Sequence, residues 1–309
     1  MTVPSGPPGL EALAASAAEF ARGAGEILLG LFGKRVEVSY KDKNQSDPVS
    51  EADRASQAYL QERILARYPG HGVLGEEKPK DAEAARAEGA QAVPEHLWVL
   101  DPLDGTKNFL NGLAVWGCSV GVLRRGRPLA GAIFTPEPGM TAGTIYRAWA
   151  GGGAFRGDYP IQVAPEEKPT AKRISSLPGS YLTQFRPTGP LKASGLGEVR
   201  APGSITYELA LVARGGLHYA LFGAPSIWDV AAGVLLVKEA GGLPLVRRPG
   251  ADLWDPFEAF YPEEDSPKSL GLARKWRRSI LVGNPSLGRF IAANLRKVNR
   301  PRFWFRARG

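Results

Sequence analysis

The run from Val115 to Asp158 constrains the fold more than any other part of the chain. "VWGCSVGVLRRGRPLAGAIFTPEPG" reads as an apolar strand, an Arg-Gly turn and a second strand, and "GTIYRAWAGGGAFRGD" adds a hairpin with its glycines at the bend. Strands joined by such short turns pair antiparallel, because a parallel pair needs a long crossover. The residues before this meander supply helices to cover it. Leu13, Ala17, Phe20, Ala24, Ile27 and Leu31 follow a helical period that Gly33 ends. "VEVSYKDKNQSDPVS" reads as a short strand and a polar turn. Ser50, with Asp53 three residues on, forms a capping pattern for a helix reaching about Arg67. "HGVLGEEKPK" leaves a short strand for a Gly-Glu-Glu turn, and the acidic, alanine-rich residues 81–92 read as a surface loop or helix.

From Ile174 the pattern changes to strands alternating with helices, carried by "RISSLPG", "SITYELALVARG", "LHYALFG", "WDVAAGVLLVKEAGG", "LPLV" and "SILVGNPSLGRFIAANL". A Pro/Glu-rich join around residues 164–169 marks the boundary. This divides the chain into an N-terminal α+β domain, 1–165, and a C-terminal α/β domain, 166–309. At 309 residues with 43% hydrophobic and 23% charged residues, there is enough chain for a large core in two packed domains. The only cysteine is Cys118, so no intramolecular disulfide and no cysteine cluster for zinc can form. The N-terminal stretch has no basic start followed by an apolar run. The alanine-rich segment after it carries Glu11, Glu19, Arg22 and Glu26, which excludes a membrane span there. A cytoplasmic setting is expected.

The net charge of +8 is concentrated late, in "ARKWRRS" (273–279) and "NLRKVNRPRFWFRARG" (294–309). Arginines interleaved with Phe303, Trp304 and Phe305 could bind nucleic acid by phosphate contacts and stacking. No nucleic-acid fold motif accompanies them, and a tail docked on its own domain or on a neighbouring subunit is the favoured reading.

Chemistry concentrates at "LWVLDPLDGTKNF" (97–109), where Asp101 and Asp104 flank Pro102 and Leu103. A rigid turn there can aim two carboxylates and a backbone carbonyl at one point, and like charges held close are costly unless a cation neutralises them. Donors that are all oxygen suit Mg²⁺ or Mn²⁺. Gly105 and Thr106 place backbone N–H groups where a phosphate oxygen could sit. On these residues alone, a plain turn with one aspartate capping the next segment remains open. Glu76-Glu77 and Trp228-Asp229 have bland readings too, as a solvated turn and a helix N-cap. Together the five acidic positions supply enough oxygens for two or three ions.

"GEE", "WVLDPLDGTKNF" and "WDVAAGVLLVKEAGG", in this order and spacing, resemble the signature stretches of the inositol monophosphatase family of Mg²⁺-dependent, lithium-sensitive sugar and nucleotide phosphatases. The similarity runs from the first helix to "ILVGNPSLGRFIAANL". It implies a layered αβαβα sandwich of the inositol monophosphatase and fructose-1,6-bisphosphatase type, dimeric, with the metal site between the domains. By the same resemblance Glu76, Asp101 and the Leu103 carbonyl hold one Mg²⁺, and Asp101, Asp104 and Asp229 hold a second. Thr106, paired with Asp47, orients a water beside Glu76, and the Gly105 and Thr106 amides hold the phosphate. Asp47 lies in "SDPVSEAD", which resembles the family's Asp-x-Val-Thr-x-x-Asp stretch with serine at position 50.

The implied substrate is a small phosphate ester, inositol 1-phosphate-like, with fructose 1,6-bisphosphate, adenosine 3′,5′-bisphosphate or histidinol phosphate as alternatives. In inositol-hydrolysing relatives a glutamate that bonds ring hydroxyls stands seven residues before the Trp-Asp aspartate. Phe222 takes that position here. Ser204 and Ile205 are further candidate substrate contacts. A reading of another class is a regulatory or RNA-associated protein on a phosphatase scaffold. "GCSVG" (117–121) matches a nucleophile elbow, but a strand pattern comes after Ser119 where that motif needs a helix. His71, His96 and His218 lack ligand spacing, and residues 250–278 form a long insertion suited to a lid or a dimer element.

Overall fold

The computed structural model describes residues 9–40, 48–77, 94–137, 139, 142–261 and 269–298. Five layers stack in the order helix, sheet, helix, sheet, helix. The first layer is the helix Leu10–Leu31 with the helix Glu51–Arg67. Leu, Ala and Glu dominate the first of these, all strong helix formers, and its stripe of small residues (Ala14, Ala17, Ala21, Ala24) lets it lie close to the sheet beneath. Leu28 completes the buried stripe, whereas Ile27 and Leu31 at its flank are only partly covered. These helices bury Leu13, Phe20, Leu60 and Ile64 against Trp98, Trp116, Val120 and Phe134.

The second layer is a seven-stranded sheet whose strands lie in chain order: Gly72–Gly75, His96–Asp104, Gly117–Arg124, Arg127–Pro136, Gly143–Trp149, Gly153–Arg156 and Tyr159–Pro160. Every neighbouring pair is antiparallel except the first, in which Val73 lies parallel opposite Trp98. The expected meander is therefore present with one parallel edge strand added. The reason is connectivity, since 20 residues separate those two strands, more than the short turn of an antiparallel hairpin.

Helices Ile205–Ala213 and Ile227–Glu239 form the middle layer. The second is buried from Ile227 to Val237 but for Asp229, an all-round apolar pattern that only an interior helix can carry. One face packs on Val99, Ile133 and Tyr146 of the first sheet, and the central core continues to Ala220, Phe222, Ile280 and Val282 of the second. That second sheet has six strands in the order Glu198–Arg200, Ile174–Ser176, Tyr219–Phe222, Ile280–Gly283, Leu245–Arg247 and Trp254–Pro256. Its first two pairs are parallel and the rest antiparallel. The outer layer places Tyr181, Leu191, Leu287 and Ile291 over Tyr219, Leu221 and Leu281.

Much of the long insertion belongs to the core. Phe257, Phe260, Tyr261, Leu270 and Trp276 join the central cluster, and the Phe260 N–H donates to the Gly126 carbonyl of a first-sheet hairpin. The chain's late basic stretch begins as a strand, Leu295–Lys297, paired antiparallel with Phe185–Pro187. Phe303, Trp304 and Phe305 lie outside the described residues, as do Asp47 and residues 81–92. Among the described residues no helix is long and apolar enough to cross a membrane.

Candidate active site

Asp101 and Asp104 lie at the end of the buried strand His96–Asp104. Three residues apart on a regular strand, their side chains would point to opposite faces. The register prevents this. Asp101 pairs with Ser119 and Asp104 with Gly117, so one extra residue bulges out between them and re-aims the end of the strand. The expected tight turn is thus a bulged strand end. Gly105 then takes φ +91°, and a Cβ there would meet the Val115 carbonyl at 2.9 Å, so glycine alone fits where the chain enters the short helix Thr106–Leu110.

One face of the helix Glu51–Arg67 holds this strand end in place. Ser56 Oγ donates to the Pro102 carbonyl at 2.8 Å, and Gln57 clasps Glu77 by accepting from its N–H and donating to its carbonyl. Asp53 does two things. Its Oδ2 closes the expected capping box, accepting from the Ser50 N–H at 2.7 Å and the Ser50 hydroxyl at 2.6 Å. Its Oδ1 accepts from Thr106 Oγ1 at 3.0 Å, with the Leu103 carbonyl 3.1 Å from the same hydroxyl. Asp53 thus stands at the Thr106 hydroxyl where Asp47, outside the described residues, was expected. Sequence reading found Asp53 only as a cap; its place in the "SDPVSEAD" stretch was the available signal.

Glu76 comes directly after the parallel edge strand, and its N–H donates to the Leu100 carbonyl at 3.1 Å, which sets it beside Asp101. Asp104 is held by the N-terminus of the helix Ile205–Ala213: its Oδ2 accepts from the Ser204 hydroxyl at 2.8 Å and from the Thr206 N–H. Ser204 is fully buried and caps that helix, so its hydroxyl serves Asp104 and not the open cleft where a substrate contact was expected. Asp229 is the third residue of its helix, not the N-cap; that position is Ser226, whose N–H donates to Asp229 Oδ2 at 2.7 Å. Two middle-layer helices therefore point their N-termini at the strand end, where partial positive charge favours anions.

Burial and mutual repulsion act together on these acids. Asp101 is 1% exposed and held well above the usual carboxylate range, first by burial and then by Glu76, Asp104 and Asp229. Asp104 is pushed up to about 6 by burial, against the pull of the Thr206 and Ser204 hydrogen bonds. Asp229 is also well raised, by burial and by Asp104, with the Ser226 bond and Arg277 opposing. Asp101 Oδ1 is buried without a hydrogen-bond partner. An acceptor in that condition, among oxygen donors that repel one another, fits a hard divalent cation. As the side chains stand, no group of three or more carboxylates, imidazoles or thiols forms a closed ligand cage among the described residues. Asp104 and Asp229 instead direct an oxygen each to helix N-termini.

The site opens into a cleft of about 440 Å³ lined by Asp104, Asp229, Ile205, Phe222, Ser180 and Gln184, among others. Ile205 and Phe222 thus line this cleft. The alternatives recede on geometry: Ser119 is a buried mid-strand residue opposite Ile133, and burial pushes the Cys118 thiol up to about 12. His71 and His96, distant in sequence, stack at 4.7 Å between ring centroids. Trp98 Nε1 donates to His71 Nδ1 at 2.9 Å, at the opposite end of the strand from Asp101 and Asp104. His218 is fully buried with Nε2 3.0 Å from the Glu166 carbonyl.

Comparison with known proteins identifies the family of the chain. Residues 10–273 match the inositol monophosphatase family. An inositol-1-monophosphatase of Mesorhizobium japonicum is 34% identical over 240 residues, covering 75% of this chain and 84% of that protein. A fructose-1,6-bisphosphatase/inositol-1-monophosphatase of Aquifex aeolicus is 31% identical over 227 residues, covering 71% and 80%. The solved inositol monophosphatase of Anabaena (Nostoc) superposes with a TM-score of 0.64 at 27% identity, covering 92% of this chain and 94% of that one. The chain therefore belongs to the inositol monophosphatase family and is a phosphatase of that family.

Proposed function

We propose that the protein hydrolyses a small phosphorylated polyol or sugar of the inositol 1-phosphate kind. In this reading Glu76, Asp101, the Leu103 carbonyl, Asp104 and Asp229 hold Mg²⁺. The observation that carries it is the buried, unpartnered Asp101 Oδ1 among three other acids, an arrangement that costs stability unless cations bind. Bound there, the ions supply positive charge that polarises water and phosphate oxygens. The chain's own groups do the rest. Asp53 fixes the Thr106 hydroxyl, Thr106 orients the attacking water, and Glu76 stands on the adjoining strand end to take its proton. The Gly105 and Thr106 amides receive the phosphate oxygens, and Ile205 and Phe222 give the organic part an apolar wall. The names of the Mesorhizobium and Aquifex relatives support a polyol or sugar phosphate as the ester.

Phosphate release tests this directly, using inositol 1-phosphate, fructose 1,6-bisphosphate, adenosine 3′,5′-bisphosphate and histidinol phosphate with Mg²⁺, with EDTA, and with Mg²⁺ plus Li⁺. Mg²⁺-dependent, Li⁺-inhibited release fastest from inositol 1-phosphate is the expected result. A preference for another ester would replace the substrate assignment, and turnover that survives EDTA would sink the metal assignment.

A further inference from the structure

Phe222 offers the cleft no acceptor for a substrate hydroxyl, and the remaining polar side chains there are few. Asp104 and Asp229 are assigned to metal. Glu208, on the helix Ile205–Ala213, is committed elsewhere: its carboxylate accepts from Ser176 Oγ and from the Gly203 N–H. Among the described cleft residues this leaves Ser180 and Gln184.

Gln184 is fixed in a particular pose. Its Nε2 donates to Ser180 Oγ at 2.6 Å, so the amide oxygen is the end that can accept. That oxygen lies against Gly223, where a Cβ would come within 2.7 Å of it. Only glycine next to Phe222 lets the amide lie there, and the Gly223 carbonyl is itself tied down by Ser279 Oγ at 2.6 Å. The backbone of Gln184 is anchored as well. Its carbonyl accepts from the Val298 N–H at 2.8 Å, and Tyr181 and Phe185 on either side are buried in the outer core.

We propose that Gln184 is a specificity-determining residue: its amide oxygen, oriented by Ser180, accepts a hydrogen bond from a ring hydroxyl of the substrate beside the face of Phe222. The inference rests on the phosphatase reading of the cleft and narrows it to esters whose organic part carries hydroxyl donors, such as a polyol ring.

The test is steady-state kinetics of the full chain with Mg²⁺ on two esters, inositol 1-phosphate and p-nitrophenyl phosphate, the second having no hydroxyl to donate. Gln184→Leu raises KM for inositol 1-phosphate about tenfold, the loss of one hydrogen bond, while kcat and the kinetics on p-nitrophenyl phosphate stay unchanged. Gln184→Glu keeps the acceptor and restores KM. Ser180→Ala, which touches neither the core nor the metal residues, raises KM on inositol 1-phosphate alone by about threefold. Equal effects on both esters, or none on either, overturn the inference while leaving the phosphatase reading intact. Wild-type turnover of p-nitrophenyl phosphate without inositol 1-phosphate overturns it as well, and absence of turnover on both removes the reading beneath it.

Discussion

Buried beside three other acids, Asp101 works against the stability of the metal-free chain. Asparagine has nearly the same shape and no charge to bury. Asp101→Asn should therefore melt above the wild type in EDTA by about 1–3 kcal/mol equivalent, the penalty of an unsatisfied buried acid. The same change should lower Mg²⁺-dependent turnover by about three orders of magnitude. Calorimetry and phosphate release on one preparation check both, and a less stable variant would contradict the account of the site. Glu208 gives a second test. Burial pushes its carboxyl up to about 7, so the folded state holds this proton more tightly than the unfolded chain does. Its contribution to stability is full below the unfolded value near 4.5 and is lost as pH rises through about 7, amounting to about 3 kcal/mol at most. Glu208→Gln cannot ionise, so the stability of wild type minus variant should fall between about pH 4.5 and 7 and level off above it. A flat difference would mean that Glu208 titrates normally.

At the scale of elements, the helix Glu51–Arg67 combines a stabilising cap with a brace for the proposed catalytic hydroxyl of Thr106, and the two can be separated. Ser50→Ala should cost about 1 kcal/mol of stability with kcat within about twofold of wild type, because Asp53 can still reach Thr106. Thr106→Val should instead lower kcat about 100-fold with KM little changed, and cost about 1–2 kcal/mol of stability because the buried Asp53 Oδ1 loses its donor. Thermal melts and steady-state kinetics of both variants decide the matter, and a Thr106→Val enzyme with normal kcat would remove Thr106 from the proposed mechanism. This helix also shows where sequence reasoning stops. Its cap was legible because Ser50 and Asp53 are three residues apart and the capping box is a local pattern. The bond from Asp53 to Thr106 crosses 53 positions, and those from Ser204 and Thr206 to Asp104 about 100. No periodicity encodes such pairs. The bulge was hidden too, because a Pro-Leu pair between two aspartates reads as a turn until Ser119 and Gly117 on the next strand fix the register.

Across the whole molecule, the residues themselves made two parts legible, hairpin turns for the first sheet and strand and helix alternation for the second half. The five-layer order was expected only from the family resemblance, because the apolar run 230–237 does not by itself tell that its helix is packed on both sides. The short strand at residues 72–75 was legible but its parallel pairing was not, since 20 residues separate it from its partner. The four acids come from different layers of this stack. Glu76, Asp101 and Asp104 close strands of the first sheet, and Asp229 opens a helix of the middle layer. A cation held by them as proposed would tie the layers together and bind the folded chain only, so it should stabilise the molecule as a unit. At Mg²⁺ about 100-fold above its dissociation constant the gain is about 2.7 kcal/mol, which for a chain of 309 residues raises Tm by about 4 °C. Melting the wild type against increasing Mg²⁺, with Asp101→Asn alongside, separates the outcomes. A rise in the wild type that is absent from the variant is expected. No rise in either would argue against a Mg²⁺ site, and an equal rise in both would place the ion away from Asp101.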